Sequence, residues 1–146
     1  MKATFRATAK KLKDGMQVET TARNFKIMVD EPKNLGGTDI AMNPVEALLC
    51  ALGGCQVIVA ASFAAEQGID LQDFWVELEG DLDPAGFSGQ ADVRKGYEEI
   101  RYTMHFKTDA PKEKVEAFAA FIEERCPVGD TLQKGTALKL AGVVIE

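Results

Sequence analysis

Polar and apolar residues alternate from Ala3 to Lys11, turn at Lys13-Asp14-Gly15, and alternate again from Met16 to Ala22 and through Phe25-Lys26-Ile27-Met28-Val29. A period of two sends successive side chains to opposite faces of a pleated sheet, so this stretch predicts an N-terminal antiparallel meander. Glu31 to Asp39 carries Pro32 and the Gly36-Gly37 pair with little periodicity, which predicts a loop. At Asn43 the pattern becomes helical: Asn43 can cap, Pro44 takes the first position where no donor is lost, and Glu46 stands where a capping-box carboxylate belongs. That helix is expected to run to Gln67 and to stop at Gly68.

The period of two returns at Phe74, Val76, Leu78 and Leu82, and Pro84 to Gly89 breaks it. Ile100, Tyr102, Met104 and Phe106 then alternate with Arg101, Thr103, His105 and Lys107, which predicts a strand with its apolar set inward and His105 toward solvent. Pro111 opens a helix whose apolar positions Val115, Phe118, Ala119 and Ile122 keep the helical period up to Cys126, where Pro127 stops it. A helical turn near Thr131 to Lys134 and a last strand from Ala137 to Ile145 complete the reading. At this length, 146 residues fit one domain spanning 1–146 or a protomer that shares its core with a copy of itself.

The central helix shapes that choice. Between Ala47 and Ala65 there are 19 residues without a charge, a length that could cross a membrane. Glu46 and Glu66 flank the stretch, Gln56 sits inside it, no basic cluster adjoins it, and its Ala and Gly content makes it only mildly hydrophobic. A buried helix fits better. One apolar on every side needs cover on every side, which a single small sheet does not supply, so a homodimer is expected.

With 46% hydrophobic and 27% charged residues the chain has the balance of a folded protein. A net charge of -6 with scattered lysines repels phosphate backbones and anionic membranes, which argues against nucleic-acid or membrane partners. Charge interrupts the first residues, so no secretory signal is read there and a cytoplasmic location is expected. No Walker loop, dinucleotide glycine fingerprint or zinc cluster is present, serine hydrolysis lacks a base, and no cofactor is implied.

Thiol chemistry remains. Three cysteines are too few for a disulfide framework, and with His105 as the only histidine they lack metal-ligand spacing. Cys55 follows Gly53-Gly54 in the apolar helix. A cysteine there is usually a small buried hydrophobe, but two helical glycines cost roughly 2 kcal/mol relative to alanine and point to close backbone approach. Cys126 precedes a helix-stopping proline, with Arg125 beside it as a cation, and by itself is equally readable as core. Cys50 lies about 140° around the helix from Cys55 and reads as core filling.

Asn43-Pro44-Val45-Glu46-Ala47-Leu48-Leu49, followed by Ala51-Leu52-Gly53-Gly54-Cys55, resembles the helix that carries the peroxidatic cysteine of OsmC/Ohr proteins. Cys126-Pro127-Val128 with Thr131-Leu132 resembles their resolving-cysteine segment, and Pro32, Leu35, Gly36 and Gly37 resemble their loop before the helix. The resemblance implies an α+β fold, with antiparallel sheets wrapped around two long central helices in an intertwined homodimer. It also implies a thiol peroxidase that reduces organic hydroperoxides, with Cys55 attacking, Cys126 resolving, and a dithiol such as dihydrolipoamide as reductant. In that family an arginine from the N-terminal strands, held by a glutamate at the helix start, activates the thiol. Glu46 stands at that start, one residue nearer the cysteine than in the hydroperoxide-resistance branch. Lys13 and Asp14 fall where the arginine should be, and Arg23 is the nearest substitute. The rival from another class is a non-catalytic homodimer that binds an apolar small molecule between its central helices, with Cys55 as lining only.

Overall fold

The computed structural model describes residues 1–146 and divides into two compact units, Met1–Cys50 and Ala51–Glu146. In the first, β1 (Thr8–Lys11), β2 (Val18–Ala22) and β3 (Phe25–Val29) form an antiparallel sheet in sequence order, with Thr8 opposite Thr21 and Val18 opposite Val29. This is the meander that the alternation predicts, with β1 confined to its last four residues. Arg23 and Asn24 make the two-residue turn between β2 and β3, and Arg23 has the positive φ of 55° that such tight hairpins require.

The loop after β3 is organised by one carboxylate. Asp30 is buried, and its oxygens accept from the backbone N–H groups of Glu31 (2.8 Å), Thr38 (3.2 Å) and Ile40 (3.2 Å) and from the Thr38 hydroxyl (2.6 Å). These donors, the Thr38 hydroxyl foremost, hold the Asp30 carboxyl down at about 2. Gly37 lets the loop close around Asp30, because a Cβ there would lie 1.8 Å from the Glu31 carbonyl oxygen.

Helix α1 (Pro44–Phe63) runs from the first unit into the second. Its start is a reciprocal capping box: the Asn43 N–H donates to the Glu46 carboxylate (3.0 Å), and the Glu46 N–H donates to the Asn43 side-chain oxygen (2.9 Å). The regular helix ends at Phe63, four residues short of the expected Gln67, because the chain closes into a Schellman motif. The Ile69 N–H reaches the Ala64 carbonyl (2.8 Å) and the Gly68 N–H the Ala65 carbonyl (3.0 Å), with Gly68 at φ 70°. Gly68 is the stop, as its position predicts.

In the second unit, β4 (Asp73–Asp81) and β5 (Glu99–Lys107) pair antiparallel, with α2 (Pro84–Ser88) between them in sequence. Helix α3 (Lys112–Arg125) and helix α4 (Pro127–Lys134) follow. The buried cluster joins Val59 and Ala60 of α1 to Ala64, Ile69, and Phe118 and Ile122 of α3. Phe74, Met104 and Phe106 from the inner sheet face pack against it. On the outer face His105 stacks on Trp75 at 3.8 Å and bonds Glu77 at 2.9 Å, so it lies on the polar side as its phase predicts, but is half covered.

Three expectations are corrected. The last strand, Ala137 to Ile145, does not form: residues 135–146 have no regular structure, and Leu138, Leu140 and Ile145 are almost fully exposed. Alternation alone does not make a strand without a neighbour to take its N–H and C=O groups, and none pairs with this segment here. Cys50 is exposed rather than core filling, with its Sγ 3.7 Å from the Met42 sulfur. The third concerns Thr131 to Lys134, where the short turn is the end of a two-turn helix that starts at Pro127.

Because the folded-state pKa of Asp30 is depressed from 3.8 to about 2, its stabilising contribution is present above the higher value and is lost as pH falls through the lower. Replacing Asp30 with Ala should therefore lower the melting temperature at neutral pH. The gap between variant and wild type, read by circular dichroism, should close as the pH approaches about 2. A gap that does not depend on pH would refute this account of the loop.

Candidate functional site

Two of the three sulfurs meet in the second unit. Cys55 sits in the middle of α1, partly exposed. Cys126 is the hinge residue between α3 and α4, 1% exposed, and its extended backbone (φ -77°, ψ 108°) is at once the end of one helix and the cap of the next. Pro127 enforces that break and starts α4 at the one place where a missing N–H costs nothing. The Cys126 sulfur caps α4 by accepting from the Gly129 N–H at 3.4 Å. Cys55 is close enough to raise the Cys126 pKa.

Packing fixes this meeting. A Cβ at Gly53 would stand 2.7 Å from a Leu78 methyl, so glycine there lets β4 lie close under α1. Leu52, one residue earlier, reaches toward Gly129 beside Cys126, where an added Cβ would be 3.7 Å from its methyl. Gly54 meets nothing within 4 Å of an added Cβ and leaves open space beside Cys55. The glycine pair thus has two roles: close approach at Gly53 and an opening at Gly54. Leu52 and Val59, three residues before and four after Cys55 on the helix, are turned into the core. The exposed apolar neighbours of Cys55 on the helix are Ala51, four residues before, and Ile58, three after.

Burial pushes the Cys126 thiol up, and its interaction with Cys55 pushes it further in the same direction. Cys126 is therefore held toward its protonated form.

The other expected site residues are occupied locally. Glu46 is engaged in the capping box with Asn43. Arg23 places its guanidinium 4.8 Å over the Phe25 ring, and no ion pair joins it to Glu46. Arg125, the cation next to Cys126 in sequence, lies over the rings of Phe121 (4.7 Å) and Phe63 (5.6 Å).

Two residues near the thiols were not singled out from the sequence. These are Tyr102 of β5, whose phenol is raised by burial and then by the charges of Glu123 and Cys126, and Glu123 of α3. Both line a groove of about 550 Å³ between β5 and α3, with Met104, Phe106, Val115 and Ala119 as its apolar lining. Alternation had placed Tyr102 with the inward set, and Glu123 precedes Cys126 by one helical turn. Only the packing of β5 against α3 brings the two together.

Residues 36–141 match the family described as OsmC-like protein. The chain is 25% identical over 130 residues to a hydroperoxide reductase of Mycoplasma genitalium, covering 88% of this chain and 87% of that one. Among solved structures, an OsmC-like protein from Mycoplasma pneumoniae superposes with a TM-score of 0.79 at 24% identity, covering 91% of this chain and 89% of the other. An organic hydroperoxide resistance protein from Legionella pneumophila superposes with a TM-score of 0.63 at 26% identity, over 90% of each chain.

Mild oxidation should join Cys55 to Cys126, the two thiols that interact in the second unit, at a bonding length of about 2.05 Å. Peptide mapping would show it. A dominant link through Cys50 would reject the pairing.

Proposed function

The chain belongs to the OsmC-like protein family, and within it we propose that this protein is a thiol peroxidase that reduces organic hydroperoxides through Cys55 and Cys126. The observation that carries the proposal is the pairing of a partly exposed thiol with a buried one, Cys55 being near enough to raise the Cys126 pKa. The hydroperoxide reductase and hydroperoxide resistance proteins among its relatives support it.

In this reading the Cys55 thiolate attacks the outer peroxide oxygen, the O–O bond breaks, and the alkoxide takes a proton and leaves as alcohol. Cys55 is then a sulfenic acid. The Cys126 sulfur attacks it, the S–S bond forms, and the hydroxyl departs as water. A dithiol such as dihydrolipoamide reduces the disulfide by exchange and returns both thiols. The opening at Gly54 and the apolar surface of Ala51 and Ile58 favour an alkyl substituent, at about 25 cal/mol per Å² of apolar area buried. Hydrogen peroxide offers no such area. Arg23 is the candidate for the activating cation and Glu46 for the group that orients it. We place the reaction in the cytoplasm, where dithiol reductants are maintained.

A homodimer completes the proposal. Helix α1 is long and apolar enough by composition to cross a membrane, yet only 28% of its most apolar window is buried within the chain, and Ile58 stays 68% exposed. The C-terminal segment likewise leaves Leu138, Leu140 and Ile145 bare. A second copy would cover these surfaces, and light scattering should report about twice the 15.9 kDa chain mass. A monomer that persists on dilution with full activity would overturn this part.

Cumene hydroperoxide should be consumed faster than hydrogen peroxide. Cys55→Ser should abolish turnover, and Cys126→Ser should stop after one equivalent unless external thiol is supplied. Because the Cys126 pKa is raised, its thiolate fraction grows only as pH rises above neutrality, so disulfide formation should climb with pH. Equal rates for both peroxides, or full turnover by Cys55→Ser, would sink the peroxidase reading. A selective loss in Arg23→Ala would identify the cation.

A further inference from the structure

The Cys126 side chain is held at the start of α4 by a backbone donor. Its sulfur accepts the Gly129 N–H at 3.4 Å, and the residue is 1% exposed. Gly129 is the third residue of α4, after Pro127 and Val128, so its N–H has no partner inside the helix and is free to serve the sulfur. This first turn lies against α1. A Cβ added to Gly129 would be 3.5 Å from the Cys126 sulfur and 3.7 Å from a methyl of Leu52, three residues before Cys55. Cys55, by contrast, is partly exposed and follows the open space at Gly54. The two sulfurs differ both in access and in the donors around them.

We propose that the reducing dithiol attacks the Cys55 sulfur of the disulfide, and that Cys126 departs as a thiolate received by the Gly129 N–H. The inference rests on the proposed function and deepens it by naming the sulfur at which the pair is reset. In thiol–disulfide exchange the attacked sulfur must be reachable, and the other leaves faster the better its negative charge is accommodated. Access selects Cys55, because the path that admits a peroxide to its sulfur also admits a thiol, whereas Cys126 is buried. Charge selects Cys126 as the leaving group. A hydrogen bond strengthens when its acceptor becomes an anion, so the bond from Gly129 tightens as the S–S bond breaks, with its donor already in place. It works against burial, which by itself disfavours a charged sulfur.

The exchange balances. One thiolate of the dithiol bonds to the Cys55 sulfur, and the Cys55–Cys126 bond breaks with its electron pair on Cys126. The second thiolate of the reductant then attacks the reductant sulfur held on Cys55, and the electron pair of that bond goes to Cys55. The two protons that the dithiol gave up return to Cys55 and Cys126. The protein disulfide gains two electrons, and the dithiol becomes a disulfide.

The test starts from protein in which peptide mapping shows the Cys55–Cys126 disulfide after mild oxidation. It is exposed briefly to one equivalent of 2-mercaptoethanol, a monothiol that leaves the exchange half finished, and quenched with acid. Mass spectrometry should find the mercaptoethanol on Cys55 and a free thiol at Cys126. Dihydrolipoamide should reduce oxidised Gly129→Pro about tenfold more slowly than wild type, because the change removes the donor at a first-turn position that tolerates proline. Gly129→Ala keeps the N–H, and its Cβ would meet the Cys126 sulfur at an ordinary contact distance, so it should recover most of the rate. That rescue is not expected if the glycine serves only to save space. Adduct on Cys126, or a Gly129→Pro variant reduced as fast as wild type, would overturn the inference and leave the peroxidase reading standing. If Gly129→Pro does not fold, as read by circular dichroism, the adduct position in wild type decides alone. Failure of the wild type to form the Cys55–Cys126 disulfide would overturn the proposed function and the inference with it.

Discussion

A helix with no charged residue after its first turn must find apolar cover, and that demand on α1 organises the chain. Its inward stripe of Leu52, Gly53, Val59 and Ala60 determines what can pack there: Gly53 admits Leu78, while Val59 and Ala60 receive Phe118 and Ile122. Each buried side chain of that size contributes about 1.5–3 kcal/mol relative to exposure. Gln56 lies on the same stripe, fully buried, with its side-chain oxygen unpartnered. An unsatisfied buried acceptor costs about 1–3 kcal/mol, so the stripe is held in place despite it.

The sulfur chemistry follows from how α3 ends. Had the helix continued past Arg125, the Cys126 N–H and carbonyl would belong to one regular ladder and its side chain would follow the helical period. Pro127 forbids this, and the break turns Cys126 into a cap whose sulfur is directed by the Gly129 N–H. Cys126 is thereby fixed from both sides, by the end of α3 and by the start of α4. Cys55 is fixed by α1. Two thiols on separate rigid helices meet with little freedom left to lose, which is the geometry that fast disulfide closure requires.

What the sequence makes legible is local. The capping box at Asn43 and Glu46, the stop at Gly68, the break at Pro127 and the alternation in β2 through β5 each depend on residues within a few positions of one another, and each appears where the pattern places it. The failures are non-local. Residues 137–145 alternate as well as many strands do, but the pattern does not say which edge would pair with them. Cys50 follows a helical period that says which side it faces and nothing about what lies there. Helical spacing alone allows either Leu52 and Val59 or Ala51 and Ile58 to flank Cys55, and only the packing puts the first pair in the core and leaves the second exposed beside it. Tyr102 and Glu123, 21 positions apart, carry no joint signal until β5 and α3 are packed.

Packing also bears on the choice between the proposed thiol pair and a pair of small hydrophobes. A core that only needed small apolar volume at residue 126 would be served as well by alanine, without burying an S–H group. Nor does packing explain the opening at Gly54, since a glycine with nothing within 4 Å of an added Cβ contributes no contact and carries the usual helix cost of about 1 kcal/mol. A sulfur that its own burial and its neighbour Cys55 hold toward the protonated form adds nothing to stability either. These features are unfavourable or neutral for stability, and they fall together around residues 54, 55 and 126, where the proposed thiol chemistry would use them.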